Sequence, residues 1–150
     1  MKNKYVVGID PGINGAIAFV GEDIRIYDIP TTKINDIRVV NSKELYNLFK
    51  QNTDDINYFN IEFVHSIRGD GIAGAFSFGR TYGMIIAILL LFDKEVNFIA
   101  PQTWKAKFGL TCQQKDLART IVIRMYPYLE ESLKRKMDID RAEAILIASC

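Results

Sequence analysis

The 150-residue sequence holds only two cysteines, Cys112 and Cys150, and a single histidine, His65. Two unpatterned cysteines exclude a disulfide framework and a zinc knuckle, and they point to a reducing, intracellular setting. One histidine cannot build a zinc site, and no Ser-His-Asp or Cys-His arrangement is present. Long hydrophobic runs are lacking too. The longest, residues 84–92, falls far short of the roughly 20 residues that span a membrane. No signal peptide is expected, since residues 1–4 lead straight into a strand-like segment. Charge of one sign is also missing: 19 Lys and Arg face 18 Asp and Glu, net +1. At face value that balance argues against a nucleic-acid partner. With 49% hydrophobic and 25% charged residues, disorder and collagen-like repeats are excluded. Residues 1–150 fit one domain, able to bury about two-thirds of its unfolded surface without staples.

Residues 5–9 are a β-rich apolar run closed by Asp10-Pro11-Gly12, and 16–20 are a second run. Gly21-Glu22-Asp23 links tightly to 24–29, which alternates apolar and polar like a half-buried strand. These three predict a meander. Residues 30–40 read as a polar loop. Residues 42–51 predict a helix capped by Asn41 or Ser42, with Leu45, Leu48 and Phe49 on one face. A fourth strand is expected over 57–64, a flexible loop over 66–71 and one long helix over 72–92. Gly74, Gly79 and Gly83 lower that helix's propensity, or allow a backbone neighbour to approach closely. A fifth strand over 96–100 is stopped by Pro101, and helices follow over about 113–125, 129–136 and from 140 onward. No internal repeat, low-complexity stretch or linker interrupts the chain. The order predicts an α/β fold: a mixed five-stranded sheet, three strands antiparallel and two parallel, flanked by helices.

Four carboxylates stand out against this frame. Asp10 ends the first strand, where it is either a turn-former before Pro-Gly or a ligand. Glu62 interrupts Ile61-Glu62-Phe63-Val64 in a strand expected to be central. A buried carboxylate there costs several kcal/mol, as an order of magnitude, unless it is paired or bound to metal; a solvated edge position is the plainer reading. Asp140 and Glu143 are three apart and share a helix face, although Asp-x-x-Glu before an apolar run is also a capping pattern. Brought together over the sheet, these four would suit hard divalent cations. Two Mg²⁺ ions about 4 Å apart activate water and stabilise the leaving oxygen in phosphodiester hydrolysis. His65 is a loop residue suited to touching substrate, or a simple surface histidine.

Val7-Gly8-Ile9-Asp10-Pro11-Gly12 followed by Gly15-Ala16-Ile17-Ala18 resembles the first-strand motif of the RuvC-like Holliday junction resolvases. Ile61-Glu62 before a basic, Gly-containing loop is similar to their second acidic motif. Asp140-Arg141-Ala142-Glu143-Ala144-Ile145-Leu146-Ile147-Ala148 resembles their C-terminal helix. Order and spacing agree over nearly the whole chain. The resemblance implies an RNase H-like fold, a homodimer, and a Mg²⁺ cluster, two ions per site with Mn²⁺ able to substitute, held by Asp10, Glu62, Asp140 and Glu143. The fourth carboxylate is Glu where bacterial members usually have Asp, as in phage-type relatives, and Asp138 competes with Asp140 as a ligand. Pro101-Gln102-Thr103-Trp104-Lys105 also matches, resembling a motif before a DNA-facing helix. Lys105 and Lys115 fall where the family places lysines for DNA contact or transition-state charge; a solvated helix face is their plainer role. Lys107 is a further DNA-binding candidate. His65 and Ile67 fall where relatives insert residues at the branch point, and Arg68 suits a phosphate contact.

The expectation is therefore a Mg²⁺-dependent endonuclease that cuts four-way DNA junctions symmetrically. It would act as a two-fold homodimer, with no membrane and no small-molecule cofactor. It is expected in the cytoplasm of a bacterium, or where viral or phage DNA replicates in a host cell. An RNase H-like nuclease on RNA or RNA–DNA hybrids, or a non-catalytic junction-binding module, would keep the fold. Asp10-Pro11-Gly12 also resembles the first phosphate motif of actin- and hexokinase-like ATPases, but their duplicated second half is missing. The apolar part of the long helix, residues 84–91, is expected to serve both core and dimer interface. Splitting the charge revises its first implication: residues 94–136 carry net +5, while 1–93 and 137–150 each carry −2. A neutral total thus conceals a basic segment beside an acidic pocket, a distribution that suits phosphate.

Overall fold

The computed structural model describes residues 4–65, 71–110 and 116–150. The expected meander forms from β1 (Tyr5–Asp10), β2 (Ala16–Val20) and β3 (Ile24–Asp28), paired antiparallel. Next come β4 (Thr31–Ile34) and β5 (Ile37–Val40), a separate two-stranded hairpin, and α1 (Ser42–Gln51). Then β6 (Ile56–Glu62) lies parallel to β1, and β7 (Glu95–Ile99) parallel to β6, with α2 (Ile72–Leu89) as the crossover between them. The strand order is β3-β2-β1-β6-β7, the mixed sheet expected from the sequence. Helices α3 (Pro101–Lys107), α4 (Leu117–Met125) and α5 (Ile139–Ala148) complete the chain.

Two expectations are corrected and one is extended. Residues 30–40 are not a loop but the β4–β5 hairpin. Its turn residues, Asn35 and Asp36, both have positive φ, 48° and 62°, the backbone that a tight two-residue hairpin turn needs. Asn and Asp tolerate that region better than other side chains, yet the pair is a weaker signal than Asn-Gly. Pro101 does not merely stop a strand: it opens α3 at the first helical position, where its missing N–H costs nothing. The helix expected over 129–136 is instead two 3-10 stretches, Pro127–Leu133 and Lys136–Asp138, separated by Lys134 and by Arg135, the latter in an extended conformation.

Period-two alternation gives the sheet two unlike faces. Tyr5, Val7 and Ile9 join Ile17, Phe19, Phe59 and Ile61 on one face, under α1 and α2, where Leu45, Phe49, Ile85 and Leu89 close a core of large side chains. Gly8 and Asp10 lie on the other face of β1. There Ala16 and Ala18 of β2 pack with the fully buried Ala144, Ile145, Leu146 and Ile147 of α5. Burial of each large aliphatic residue contributes about 1.5–3 kcal/mol. Small residues are needed on this face because the helix lies close. A Cβ on Gly8 would sit 2.1 Å from the Ala144 carbonyl oxygen. Across its length α5 is tied to the sheet by Asn60, whose Nδ2 donates to the Ile147 carbonyl at 3.0 Å. It is also tied by Arg141, which forks onto Asp28 of β3 with two 2.8 Å bonds.

By length and composition α2 could cross a membrane; its C-terminal half packs on the sheet through Thr81, Ile85, Ile88 and Leu89, and most of its other residues are not buried. The close backbone neighbour expected at Gly74, Gly79 and Gly83 is not found: nothing lies within 4 Å of a Cβ built at any of them. All three are exposed, Gly79 and Gly83 toward one side of the helix and Gly74 toward the other.

Candidate active site

Ile9 pairs with Ile61 in the parallel β1–β6 ladder. The next residue on each strand is Asp10 and Glu62, so two carboxylates emerge side by side at the C-terminal ends of central strands. Both share the face that α5 covers. Asp140 and Glu143 descend from the first turns of that helix, and oxygens of Asp10, Asp140 and Glu143 come within 4.8 Å of one another. Glu62 flanks the trio. Its Oε2 accepts from the buried Trp104 indole Nε1 at 2.7 Å, and its backbone carbonyl accepts from the Tyr82 hydroxyl at 3.1 Å.

The surroundings of each acid differ from those its plainer reading expects. The turn after Asp10 is closed by the backbone, Gly15 N to Gly12 O at 3.0 Å, while the Asp10 carboxyl is directed to Asp140 instead. Gly15 makes that turn possible, because a Cβ there would lie 2.0 Å from the Asp10 carbonyl oxygen. Glu62 is half-buried on a strand flanked on both sides, not at a solvated edge. The α5 N-cap position is Asp138, without a side-chain cap bond, so Asp140 lies inside the helix and is not its cap. Asp138 is occupied elsewhere. Only 2% exposed, it accepts from the Arg135 backbone N at 2.9 Å and from the Arg135 guanidinium at 2.7 Å. Those bonds hold its carboxyl below the usual range, and it is not part of the cluster.

Crowding shows in the proton affinities. Burial first, then the negative charges of Glu143, Asp140 and Glu62, push the Asp10 carboxyl well above its ordinary value. The neighbouring Asp140 carboxyl is raised as well, chiefly by burial, an effect its contact with Asp10 opposes. Burial also raises Glu62, opposed by the Trp104 hydrogen bond and the positive charge of Lys105. Acids that raise one another's proton affinity in this way gain from positive charge placed among them. The cluster offers only hard oxygen donors, with no His or Cys, which suits Mg²⁺ or Mn²⁺ rather than zinc.

The remaining sequence candidates are distributed around this cluster. Lys105 sits beside Glu62, its ammonium over the Trp104 ring at 5.2 Å. Lys107 donates instead to the Ser149 backbone carbonyl at 2.5 Å. His65 is exposed, 6.2 Å from the Phe63 ring. Ile67, Arg68 and Lys115 lie outside the described residues. Sequence reasoning did not foresee that Trp104 orients Glu62. The residue stood within a recognised motif, but nothing in the sequence says which acid its N–H meets.

The sequence matches no protein-family model and no curated protein. Solved structures do match. The yeast mitochondrial Holliday junction resolvase Ydc2 superimposes with a TM-score of 0.63 at 16% identity, covering 97% of this chain and 76% of that one. RuvC of T. thermophilus gives 0.62 at 16% identity, covering 95% and 91%. The same protein in complex with Holliday junction substrate gives 0.60 at 14% identity, covering 95% and 90%. The chain has the RuvC-type, RNase H-like fold. Within that fold, the carboxylate cluster lies where β1, β6 and α5 of the present chain converge.

Proposed function

We propose that this chain is a divalent-metal-dependent endonuclease that resolves four-way DNA junctions as a homodimer. One observation carries the reading. On a RuvC-type fold, Asp10, Asp140 and Glu143 place carboxylate oxygens within 4.8 Å of one another, with Glu62 alongside. These four would hold the metal, with Mg²⁺ the expected ion. When bound, two such ions activate a water and stabilise the leaving oxygen of a phosphodiester.

The chain's own residues prepare that chemistry. Trp104 fixes the Glu62 carboxylate through its indole N–H, so that acid needs no reorganisation. Lys105 puts a positive charge at the rim, suited to a substrate phosphate, and Lys115 is proposed to meet the charge of the transition state. His65, Ile67, Arg68 and Lys107 are proposed as further DNA contacts. Dimerisation is supported by α2. Ile72, Phe76, Gly79, Gly83, Ala87 and Leu90 are all exposed and fall along one side of the helix, with Ile72 92% and Phe76 70% exposed. Small residues among large apolar ones allow a second copy's helix to approach closely.

The test is incubation of the chain with a labelled four-way junction and Mg²⁺, beside Asp10→Asn and Glu143→Gln. Paired symmetric nicks that disappear in both variants while junction binding persists are expected. Equal cutting of linear duplex, or a preference for an RNA–DNA hybrid, refutes junction resolution. Binding without cutting by the unaltered chain makes it a non-catalytic module.

A further inference from the structure

The β4–β5 hairpin carries charge that the fold does not neutralise. Lys33 and Arg38 are register partners across its two strands, so their side chains leave the same face directly opposite one another. Like charges so placed repel. Among the described residues neither forms an ion pair, and the hairpin's one carboxylate, Asp36, sits in the turn and pairs with neither.

Arg38 is nevertheless held in place. Its Nε donates to Thr31 Oγ1 at 3.2 Å and its Nη1 to Asn14 Oδ1 at 2.6 Å. Both acceptors are neutral, so the guanidinium is oriented without being compensated. Two of its five N–H donors are used, and three remain for an anion. Asn14 belongs to the turn that follows Asp10, and Arg38 and Asp140 line one cleft of about 400 Å³. The other two arginines of that cleft, Arg135 and Arg141, are already forked onto Asp138 and Asp28. Among the described residues Arg38 is thus the arginine of this cleft without a carboxylate partner, and Lys33 stands opposite it on the hairpin, outside the cleft lining.

We infer that Lys33 and Arg38 form a phosphate clamp on the hairpin, gripping the DNA backbone of the strand that enters the metal site through this cleft. The inference rests on the nuclease reading above. An anion seated between the two cations relieves their repulsion, and a guanidinium with oriented free donors suits the paired oxygens of a phosphodiester. The clamp reads no sequence; it sets how the strand lies against the carboxylates.

The test measures junction affinity by fluorescence anisotropy from 0.05 to 0.3 M salt, with Ca²⁺ supplied in place of Mg²⁺. The unaltered chain is compared with Lys33→Gln, Arg38→Gln and Lys50→Gln, the last an exposed lysine on α1. Each lost phosphate contact lowers the slope of log K against log salt by about 0.9, so a dimer that loses one contact in each protomer loses about 1.8 and binds roughly sixtyfold more weakly at 0.1 M salt. That is expected for Lys33 and Arg38, with Lys50→Gln unchanged. Lys33→Gln is further expected to raise the melting temperature of the free protein, since it removes the repulsion; a general loss of structure would lower it. If the unaltered chain binds the junction and all three variants match it, or all three weaken alike, the clamp is refuted and the nuclease reading stands. If the unaltered chain binds neither junction nor duplex, the nuclease reading itself fails and the clamp with it.

Discussion

Replacing Asp10 by Asn should make the metal-free protein more stable and the metal-loaded protein less so. Carboxylate oxygens of Asp10, Asp140 and Glu143 lie within 4.8 Å of one another, a separation at which two full charges repel by about 3.5 kcal/mol at an effective dielectric near 20. The raised proton affinities of Asp10 and Asp140 and partial solvent access reduce this to a net gain on the order of 1–3 kcal/mol for the Asn variant. For a chain of this size that corresponds to a rise of about 2–10 °C in Tm. The sign depends on pH. The folded-state affinity of Asp10 for its proton is raised, so its stabilising contribution is complete below the unfolded carboxylate pKa. It is lost as pH rises through the folded value. The advantage of Asp10→Asn in chelator should therefore be largest near pH 8 and vanish toward pH 4. Mg²⁺ at a hundred times its Kd should stabilise the unaltered protein by about 2.7 kcal/mol, more at pH 8 than at pH 5 because the ligands must be deprotonated. The variant should lose most of that shift. Differential scanning fluorimetry across pH, with chelator and with Mg²⁺, reads both effects. A variant that is less stable than the unaltered protein in chelator at pH 8 refutes the argument, and so does one that keeps the full Mg²⁺ shift. Either result would make Asp10 a structural turn residue.

Two further substitutions probe how the cluster is held. Gly8→Ala puts a Cβ 2.1 Å from the Ala144 carbonyl oxygen and 2.5 Å from the Ala148 nitrogen. Helix α5 must lift, at a cost of about 3 kcal/mol or more, and the Mg²⁺ shift should shrink although no ligand has changed; chemical denaturation and metal titration check the pair. Trp104→Phe removes the donor that opposes the burial-raised pKa of Glu62. A hydrogen bond to a charged group contributes about 1.5–3 kcal/mol, so the acid limb of the pH–rate profile should move up by roughly one to two units. An unshifted limb would show that Glu62 is not the group titrating there.

Sequence alone determined the sheet, because strand periodicity and short links leave few topologies. A meander must pair antiparallel, and strands separated by helices must run parallel. It also marked the four acids, since Asp10 at a strand end, Glu62 among apolar neighbours and the Asp140–Glu143 spacing each stand out locally. What it left open was decided by contacts distant in the chain. Asp138 and Asp140 are chemically alike, and what sets them apart is the backbone N–H and guanidinium of Arg135, with Arg141 nearby, gathered on Asp138. Trp104 finds Glu62 across 42 residues, a pairing set by how α3 docks. Residues 30–40 looked like a loop because a hairpin that packs few of its own residues into the core needs no alternating pattern. Its opposed Lys33 and Arg38 became visible only once the register was known. The physical reason is the same in each case. Local sequence fixes which backbone shapes are favourable, but the partner of a charge or a donor depends on packing between elements, and a side chain carries no record of the neighbour it will meet.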